Sequence, residues 1–304
     1  MNDIIINLKE LEKETLSNFN NSKSNNTIRA YRSDFLDFKN FCNTHKIPFL
    51  PTTPKVVTLY ITNLSKFYKF STIKRRISSI KIMHAHKGFH IDINHPLIKE
   101  NIIGIKKKIG VYQNSKKPLL INDLKNIINL IDSITVKNNL LKYRDKAILL
   151  LGFSGGFRRS ELVNILKKDI EFVNEGMKIR IRKSKTDQFG EGQIKGIPFY
   201  KEQKYCPVTA VNQWLRIYKT DNERLFPYSD KMVSLIVKKS INLINLNADL
   251  FSGHSLRSGF ATSTASAGAD ERSIMQMTGH KSAEMVRRYI KEANLFKNNA
   301  LNNL

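Results

Sequence analysis

The chain has 304 residues, 41% of them hydrophobic, and carries 51 Lys and Arg against 26 Asp and Glu, a formal net charge of +25. This length allows one large domain or two ordinary ones, each with a real core. The longest apolar run, around residues 147–151, is far too short to cross a bilayer, and the N terminus lacks the pattern of a secretory signal. We therefore expect an intracellular, cytoplasmic protein without a membrane segment.

The positive charge is spread along the whole chain. Residues 1–112 hold 19 basic and 8 acidic residues, and residues 113–304 hold 32 and 18. This distribution favours a polyanion contacted by both parts of the chain. A generally lysine-rich composition would explain part of the excess, but not basic clusters at particular places.

The two cysteines, Cys42 and Cys206, are too few and too far apart for a disulfide framework or a metal cluster. We expect both to be small, half-buried hydrophobic side chains. The seven histidines have no HExxH or CxxC pattern around them. The sequence therefore predicts no metal bound by the protein.

The first hundred residues predict a small bundle of four helices. Apolar residues spaced i, i+4, i+7 and i+11 mark one face of the first helix, and Thr53 followed by Pro54 is typical of the start of the second. The fourth helix is expected to end near residue 105. The predicted helices begin near Asn25, Pro54, Ser71 and Pro96.

A lysine-rich stretch, residues 105–120, separates this bundle from the rest of the chain. We place an N-terminal domain at residues 1–112, a basic linker at 113–118 and a second domain at 119–304. The stretch is either a solvated connection or a surface that lies against phosphates, and we favour the second interpretation. Its candidate DNA-binding residues are Lys106, Lys107, Lys108, Lys116 and Lys117.

The second domain is predicted to be mostly helical with one small antiparallel sheet, an α+β arrangement. Asn122 is the expected cap of its first helix, and a nearly apolar helix follows over residues 140–153. Residues 169–199 alternate in polarity and are interrupted by two turns, which predicts three short strands. Helical patterns return from Pro207 to the end.

Candidate chemistry lies at four places in this domain. "SGGFRRSEL" puts Arg158 after a glycine-rich turn, in what we expect to be the first turn of a helix whose N–H groups suit an anion. "HSLRSGF" places His254 and Arg257 on one helix face. His280 stands nine residues before Tyr289, and Lys185 lies on a predicted hairpin. Taken singly, each motif is also compatible with an ordinary ion pair or a solvated side chain.

Together, these side chains favour chemistry on a phosphodiester. The set contains neither a carboxylate pair nor a metal motif, so it does not suit Mg²⁺-dependent hydrolysis. Fixed cations would stabilise the growing negative charge while one side chain attacks. We expect the surrounding cations to lower the pKa of Tyr289 and hold the phosphate in line.

The order of the motifs resembles the tyrosine recombinases, also called the phage integrase family. "GFRRSEL", "KTD", "HSLR", "TGH" and "RRY" occur in the family's order over residues 154–289. "YCPVTAVNQWL" resembles a further family segment, and "SNNTIRAYRSDFLDFKNFC" resembles the N-terminal core-binding domain. The resemblance extends over nearly the whole chain from about residue 20, and it implies that the second domain is catalytic.

The resemblance also implies a role for each residue. Tyr289 would attack the scissile phosphate and form a 3′-phosphotyrosine, and a Holliday junction would follow, without metal or ATP. Arg158 and Arg257 would clamp the phosphate, with Glu161 in support. His280 would donate to the transition state, Lys185 would protonate the leaving 5′-oxygen, and His254 would help to accept the tyrosine proton. Two alternatives stay open at this point, Arg159 for Arg158 and Lys183 for Lys185.

The partner implied is double-stranded DNA with specific target sites, held between the two domains. A homotetramer on two sites is also implied, in which the chain after Ile290 docks on a neighbouring copy or simply frays. Two other functions compete with recombination: a type IB topoisomerase-like relaxase, and a DNA-binding protein without catalysis. The complete set of six residues disfavours the second, because a simple binder does not need the tyrosine.

Overall fold

The computed structural model of the chain describes residues 23–111, 115–134, 139–182, 192–297 and 300–303, with a few helical residues between 10 and 18. Two compact units divide the chain, Met1–Asn114 and Ser115–Leu304. No helix among these described residues is long and apolar enough to cross a membrane. The predicted limits of the domains and linker, at residues 112 and 119, stay predictions.

The first unit contains the four predicted helices. They are α1 (Asn25–Thr44), α2 (Pro54–Leu64), α3 (Phe70–His86) and α4 (Pro96–Ile109). Thr53 caps α2 as expected, because its hydroxyl accepts the N–H of Val56 at 3.4 Å. The core between the helices includes Phe38, Cys42 and Ile73, all fully buried.

Helix α4 is longer than predicted. It continues through Lys106, Lys107 and Lys108 and stops only at Gly110, whose φ of +72° no longer fits a helix. Three of the candidate DNA-binding lysines are therefore exposed on the last turn of a helix rather than on a loose connection.

The second unit is helical around one small sheet, as predicted. Its helices are α5 (Ile121–Ser133), α6 (Asn139–Ser154), α7 (Arg159–Val163), α8 (Pro207–Ile217), α9 (Asp230–Leu243), α10 (His254–Ser266), α11 (Glu271–Thr278) and α12 (Ala283–Ala293). Strands β1 (Ile170–Val173), β2 (Gly176–Ile181) and β3 (Gln193–Pro198) pair antiparallel in the order β1-β2-β3.

The core of this unit lies around α6, which is buried without interruption from Ala147 to Ser154 and packs against α8 and α10. Trp214, the only tryptophan of the chain, is fully buried on α8, and its Nε1 donates to the Leu225 carbonyl at 2.8 Å. Burial on all sides explains why the second half of α6, from Ala147 onward, lacks the polar face that most helices show.

The predicted cap at Asn122 is wrong. Helix α5 begins one residue earlier, at Ile121, and its first N–H donates to the Ser263 hydroxyl of α10 at 3.1 Å. A side chain distant in sequence thus satisfies the helix start, which local capping rules do not anticipate.

The segment entering this unit runs along the start of α10. The N–H of Leu119 donates to the Ser255 carbonyl at 2.9 Å, and that of Lys117 to the Leu250 carbonyl at 2.8 Å. Gly259 permits the close approach, because a Cβ there would lie 1.8 Å from the Leu119 carbonyl oxygen. Residues 117–119 therefore belong to the packed part of the second unit.

Candidate active site

A glycine turn after α6 places the first arginine. Gly156 has a φ of +53°, a conformation that side chains with a Cβ rarely adopt, and the chain then returns through Phe157 to Arg158. Arg158 precedes α7 as its N-cap rather than lying in the first turn, contrary to the expectation. Glu161 accepts the Arg158 backbone N–H at 2.9 Å and Nη1 at 2.5 Å. That N–H is therefore bonded to a carboxylate and does not offer itself to an anion.

Arg257 lies on α10 and is only 1% exposed. Its Nη1 donates to the Gly156 carbonyl at 2.9 Å, while its Nη2 is buried without a hydrogen-bond partner among the described residues. Burial and the charge of Arg158 lower the pKa of Arg257 to about 10, which still leaves it charged at neutral pH. A buried cation with an unsatisfied donor is a costly arrangement that an anionic ligand would relieve.

His254 begins α10, three residues before Arg257, and keeps solvent access. Desolvation within the cleft lowers its pKa, and the charges of Arg257 and Arg158 add to this effect. At a given pH, a larger fraction of His254 is therefore neutral than of an ordinary histidine, and a neutral imidazole can accept a proton.

The neighbouring Arg159 faces a different group. Its Nη1 donates to the Ser234 hydroxyl at 2.9 Å, and the same oxygen accepts the N–H of Gly253, the residue before His254. Arg158 instead donates Nη2 to the Gly279 carbonyl at 3.3 Å, next to His280. This geometry favours Arg158 over Arg159 as the arginine of the site.

His280 follows α11 and is half-buried. Its Nδ1 lies 2.8 Å from the buried Thr278 hydroxyl, so Nε2 is the nitrogen available to a bound group. Burial, together with the charges of Arg257 and Arg158, lowers the pKa of His280 to about 4. The ring is therefore neutral at pH 7.

Tyr289 lies on α12, half-buried, with its ring centroid 6.0 Å from that of His280. The expectation that cations would lower its pKa is wrong in net direction. Burial raises the pKa of Tyr289, although Arg257 and Arg288 act against this. The phenol therefore needs a proton acceptor at the moment of attack.

Five of the six predicted catalytic residues meet in this cleft, namely Arg158, His254, Arg257, His280 and Tyr289. Lys185 and its alternative Lys183 lie outside the described residues.

Sequence reasoning missed Lys195, which is 3% exposed beneath the same cleft. Its position was readable from strand alternation, because Lys195 and Ile197 share the inward face of β3.

The cleft is cationic and holds few groups that neutralise it. Arg158, Arg257 and Lys195 influence one another, and Glu161 is the carboxylate that counters them. Within the described part of the chain, no three His, Cys, Asp or Glu side chains are grouped closely enough to hold a metal ion. The arrangement is suited to a tetrahedral oxyanion beside a tyrosine hydroxyl.

Two family models match the chain. Residues 119–295 match the phage integrase family, and residues 14–87 match the phage integrase N-terminal SAM-like domain. The first match alone covers more than half of the sequence and includes every residue of the cleft.

Similar proteins carry the same family name. The chain is 38% identical over 298 residues to an integrase/recombinase XerD homolog of Selenomonas ruminantium, covering 93% of this chain and 86% of that protein. It is 28% identical to the tyrosine recombinase XerD of Rickettsia conorii, covering 84% and 85%.

Solved structures share the fold. A lambda integrase dimer bound to a core site superposes with a TM-score of 0.58 at 17% identity, covering 93% of each chain. The XerH site-specific recombinase, in a post-cleavage complex with a palindromic difH substrate, gives 0.57 at 18% identity, covering 82% and 73%. These likenesses concern the fold, while the family models and the 38% identical relative show that the chain belongs to the phage integrase family, the tyrosine recombinases.

Proposed function

We propose that this tyrosine recombinase performs site-specific recombination of duplex DNA through a 3′-phosphotyrosine intermediate and a Holliday junction, without metal or ATP. The observation that carries the proposal is the buried Nη2 of Arg257, which has no hydrogen-bond partner among the described residues and lies in the cleft with Tyr289. A scissile phosphate would supply the missing partner and place its phosphorus beside the phenol.

In the cleavage step, the Tyr289 oxygen attacks phosphorus and the bond from phosphorus to the 5′-oxygen breaks. The phenolic proton passes to His254, whose lowered pKa keeps the ring neutral and able to accept it. The leaving 5′-oxygen takes a proton from Lys185. The phosphotyrosine conserves the energy of the phosphodiester, so a second 5′-hydroxyl can reverse the attack and join exchanged strands.

The two arginines and His280 stabilise the charge that develops during attack. The planar guanidinium groups of Arg158 and Arg257 match the non-bridging oxygens. His280 is neutral at pH 7, and its proposed role is that of a hydrogen-bond donor, with the ring proton on Nε2, rather than that of a cation.

Assembly is part of the proposal. A homotetramer on two target sites brings four tyrosines to the exchanged strands, and the residues after Ile290 dock on a neighbouring copy. Leu295 and Phe296 are 58% and 80% exposed, which supplies apolar side chains for such a contact.

The N-terminal unit is proposed to share DNA binding with the catalytic unit. Lys106, Lys107 and Lys108 form a cationic turn on α4. Lys116 and Lys117 are exposed at the start of the second unit, and Lys116 Nζ donates to the Asp249 carbonyl. These five lysines are proposed to neutralise backbone phosphates rather than read bases.

The test is covalent trapping on nicked duplexes. Genomic fragments that become attached to the protein are sequenced to define the target. A duplex of that sequence is then nicked just 3′ of the cleavage point, so that the short fragment with the new 5′-hydroxyl escapes. We expect a denaturant-resistant protein–DNA adduct with the natural chain and none with Tyr289→Phe.

Tyr218→Phe is the matched control. The ring of Tyr218 stacks on that of Trp214, with 4.4 Å between the ring centroids, so this tyrosine packs against the core around α8 and not in the cleft. It should trap DNA like the natural chain. An adduct that survives Tyr289→Phe would contradict the assignment. Relaxation of supercoiled plasmid without exchange between paired sites would instead support the topoisomerase-like alternative.

A further inference from the structure

Lys195 is a buried cation that the cleavage mechanism above does not use. It lies on β3 and is 3% exposed. Its Nζ donates to the Gly155 carbonyl at 2.8 Å and also to the Met277 carbonyl, and it lies 4.5 Å from the centroid of the Phe157 ring. No ion pair with a carboxylate is formed by this lysine among the described residues.

An ammonium group in such a place is unfavourable by itself. Desolvation disfavours its charge, and Arg158 and Arg257 repel it, while Glu161 is the one carboxylate of the described residues that attracts it. A methionine of similar length would fill the same space without this penalty. The charge therefore has a use that folding alone does not explain.

The two carbonyls that Lys195 binds belong to the two turns that build the phosphate pocket. Gly155 opens the glycine turn that leads to Arg158, and Met277 precedes the turn that carries His280. Arg257 and Arg158 bind these turns from the cleft side, through the Gly156 and Gly279 carbonyls. Lys195 binds the same pair of turns from the sheet side.

We propose that Lys195 is a positioning residue of the recombination site, whose ammonium group holds these two turns together and adds positive charge beneath the scissile phosphate. This inference rests on the proposed function, because the phosphate is the anion that benefits. The charged and titratable groups facing Lys195 are Arg158 and Glu161 from the α7 region, Arg257 from α10 and His280 from the turn after α11.

A proton-coupling effect follows from this placement. Burial and the two arginines lower the pKa of Lys195 to about 8 in the protein without DNA. An anionic phosphate favours the charged amine, so DNA binding near pH 8 should draw a proton from solution. At a pH equal to the pKa half of the molecules are deprotonated, so the uptake should approach roughly half a proton per site.

The experiment uses the full chain in the Tyr289→Phe background, so that binding is measured without cleavage. The intact duplex recovered by covalent capture is titrated calorimetrically at pH 8, in two buffers that differ in ionisation enthalpy. We expect Lys195→Met to lower the proton uptake by roughly half a proton and Lys195→Arg to do the same, because arginine is always charged.

Single-turnover trapping with an otherwise natural chain gives the second readout. Lys195→Met should slow adduct formation at least tenfold at pH 7, and Lys195→Arg should recover part of that loss. Lys178→Met, an exposed lysine on the neighbouring strand β2, is the matched control and should change neither readout.

The inference would be overturned if Lys195→Met formed the adduct as fast as the natural chain and took up as many protons on binding DNA. The proposed function would still stand in that case, provided that the natural chain forms the adduct. Folding is checked by the fluorescence of Trp214. If Lys195→Met does not fold, Lys195→Arg decides the question alone, because undiminished proton uptake in that variant contradicts the role given to Lys195.

Discussion

Thr278 is placed to influence which nitrogen of His280 carries the proton, because its hydroxyl contacts Nδ1. Its buried hydroxyl has one hydrogen and two close acceptors, the Ile274 carbonyl at 2.6 Å and His280 Nδ1 at 2.8 Å, with the Met275 carbonyl farther away at 3.5 Å. If the hydrogen points to Nδ1, the neutral ring has its proton on Nε2 and can donate to a phosphate. If it points to Ile274, Nδ1 holds the proton and Nε2 can only accept.

The first prediction concerns Thr278→Val, which keeps the shape and removes the hydroxyl. We expect adduct formation to slow about fivefold to tenfold. The reason is that losing one hydrogen bond, which contributes about 1 kcal/mol, raises the activation barrier by a similar amount. Nitrogen-15 NMR of His280 should show a changed tautomer population. Thr278→Ser should preserve both properties, and equal rates in the Val variant would remove Thr278 from the mechanism.

A second prediction follows from the pKa of Lys195, which is about 8 in the folded protein against 10.5 in the unfolded chain. Because the unfolded chain holds this proton more tightly, the free energy of unfolding should rise with pH between about 8 and 10.5. The full rise is roughly 3 kcal/mol for a shift of this size. Urea unfolding at pH 8, 9 and 10, followed by Trp214 fluorescence, measures it.

Lys195→Met is the reference for this slope, since every other titrating group is common to both proteins. The natural chain should gain stability relative to the variant as the pH rises. Parallel curves would show that Lys195 titrates normally.

At this scale, the sequence predicted which side chains gather but not their protonation. The motif order predicted a shared site for Arg257, His280 and Tyr289, and the structure places these three side chains in one cleft. The raised pKa of Tyr289 depends on how deeply α12 packs, which charge counting cannot supply. Lys195 was missed because a lysine on a short strand is usually solvated, and its burial depends on two turns distant in sequence.

Among the elements, α10 passes so close to the backbone of Leu119 that Gly259 leaves no room for a side chain. The third prediction tests this contact. In Gly259→Ala the new carbon would collide with the Leu119 backbone, which cannot move as a flexible side chain does. We expect a loss of about 2 kcal/mol or more in the free energy of unfolding, as for other overpacked sites. Thermal unfolding followed by circular dichroism measures this loss.

Gly104→Ala is the control, because nothing lies within 4 Å of a Cβ added at that position on α4. It should stabilise the first unit by about 0.5–1 kcal/mol through helix propensity. A Gly259→Ala protein as stable as the natural chain would show that the entering segment is not held against α10.

The elements themselves were largely predictable, and the two failures have different causes. Periodicity and the proline at residue 54 placed the helices of the first unit within a few residues. The start of α5 was misplaced because Ser263, from another helix, provides its partner. The end of α4 was misplaced because lysines allow a helix to continue, and only Gly110 stops it.

For the whole molecule, the fourth prediction concerns the charge of +25. Replacing the five proposed DNA-binding lysines by alanine should reduce the slope of log K against log salt by about 0.9 per lost phosphate contact. Fluorescence anisotropy with the captured duplex over a range of salt concentrations measures it. The five are Lys106, Lys107, Lys108, Lys116 and Lys117.

A charge-matched variant distinguishes phosphate contacts made by these five lysines from the effect of the protein's net charge. It carries alanine at five exposed lysines elsewhere, which are Lys87, Lys168, Lys178, Lys204 and Lys219. This variant should keep the natural salt slope more closely than the first. Equal slopes in both variants would mean that net charge, and not this surface, binds the phosphates.

The two sulfhydryls give the protein a practical property. Cys42 is fully buried in the core of the first unit and Cys206 in that of the second, and burial raises the pKa of the Cys42 thiol to about 11. Burial acts in the same direction on Cys206, but hydrogen bonds with Thr209 and with backbone N–H groups lower the pKa of that thiol overall. Because neither side chain is accessible, maleimide reagents should still spare both while the chain is folded. A cysteine introduced at an exposed position would accept a single dye without removal of the native pair, so that bending and pairing of DNA could be followed one molecule at a time.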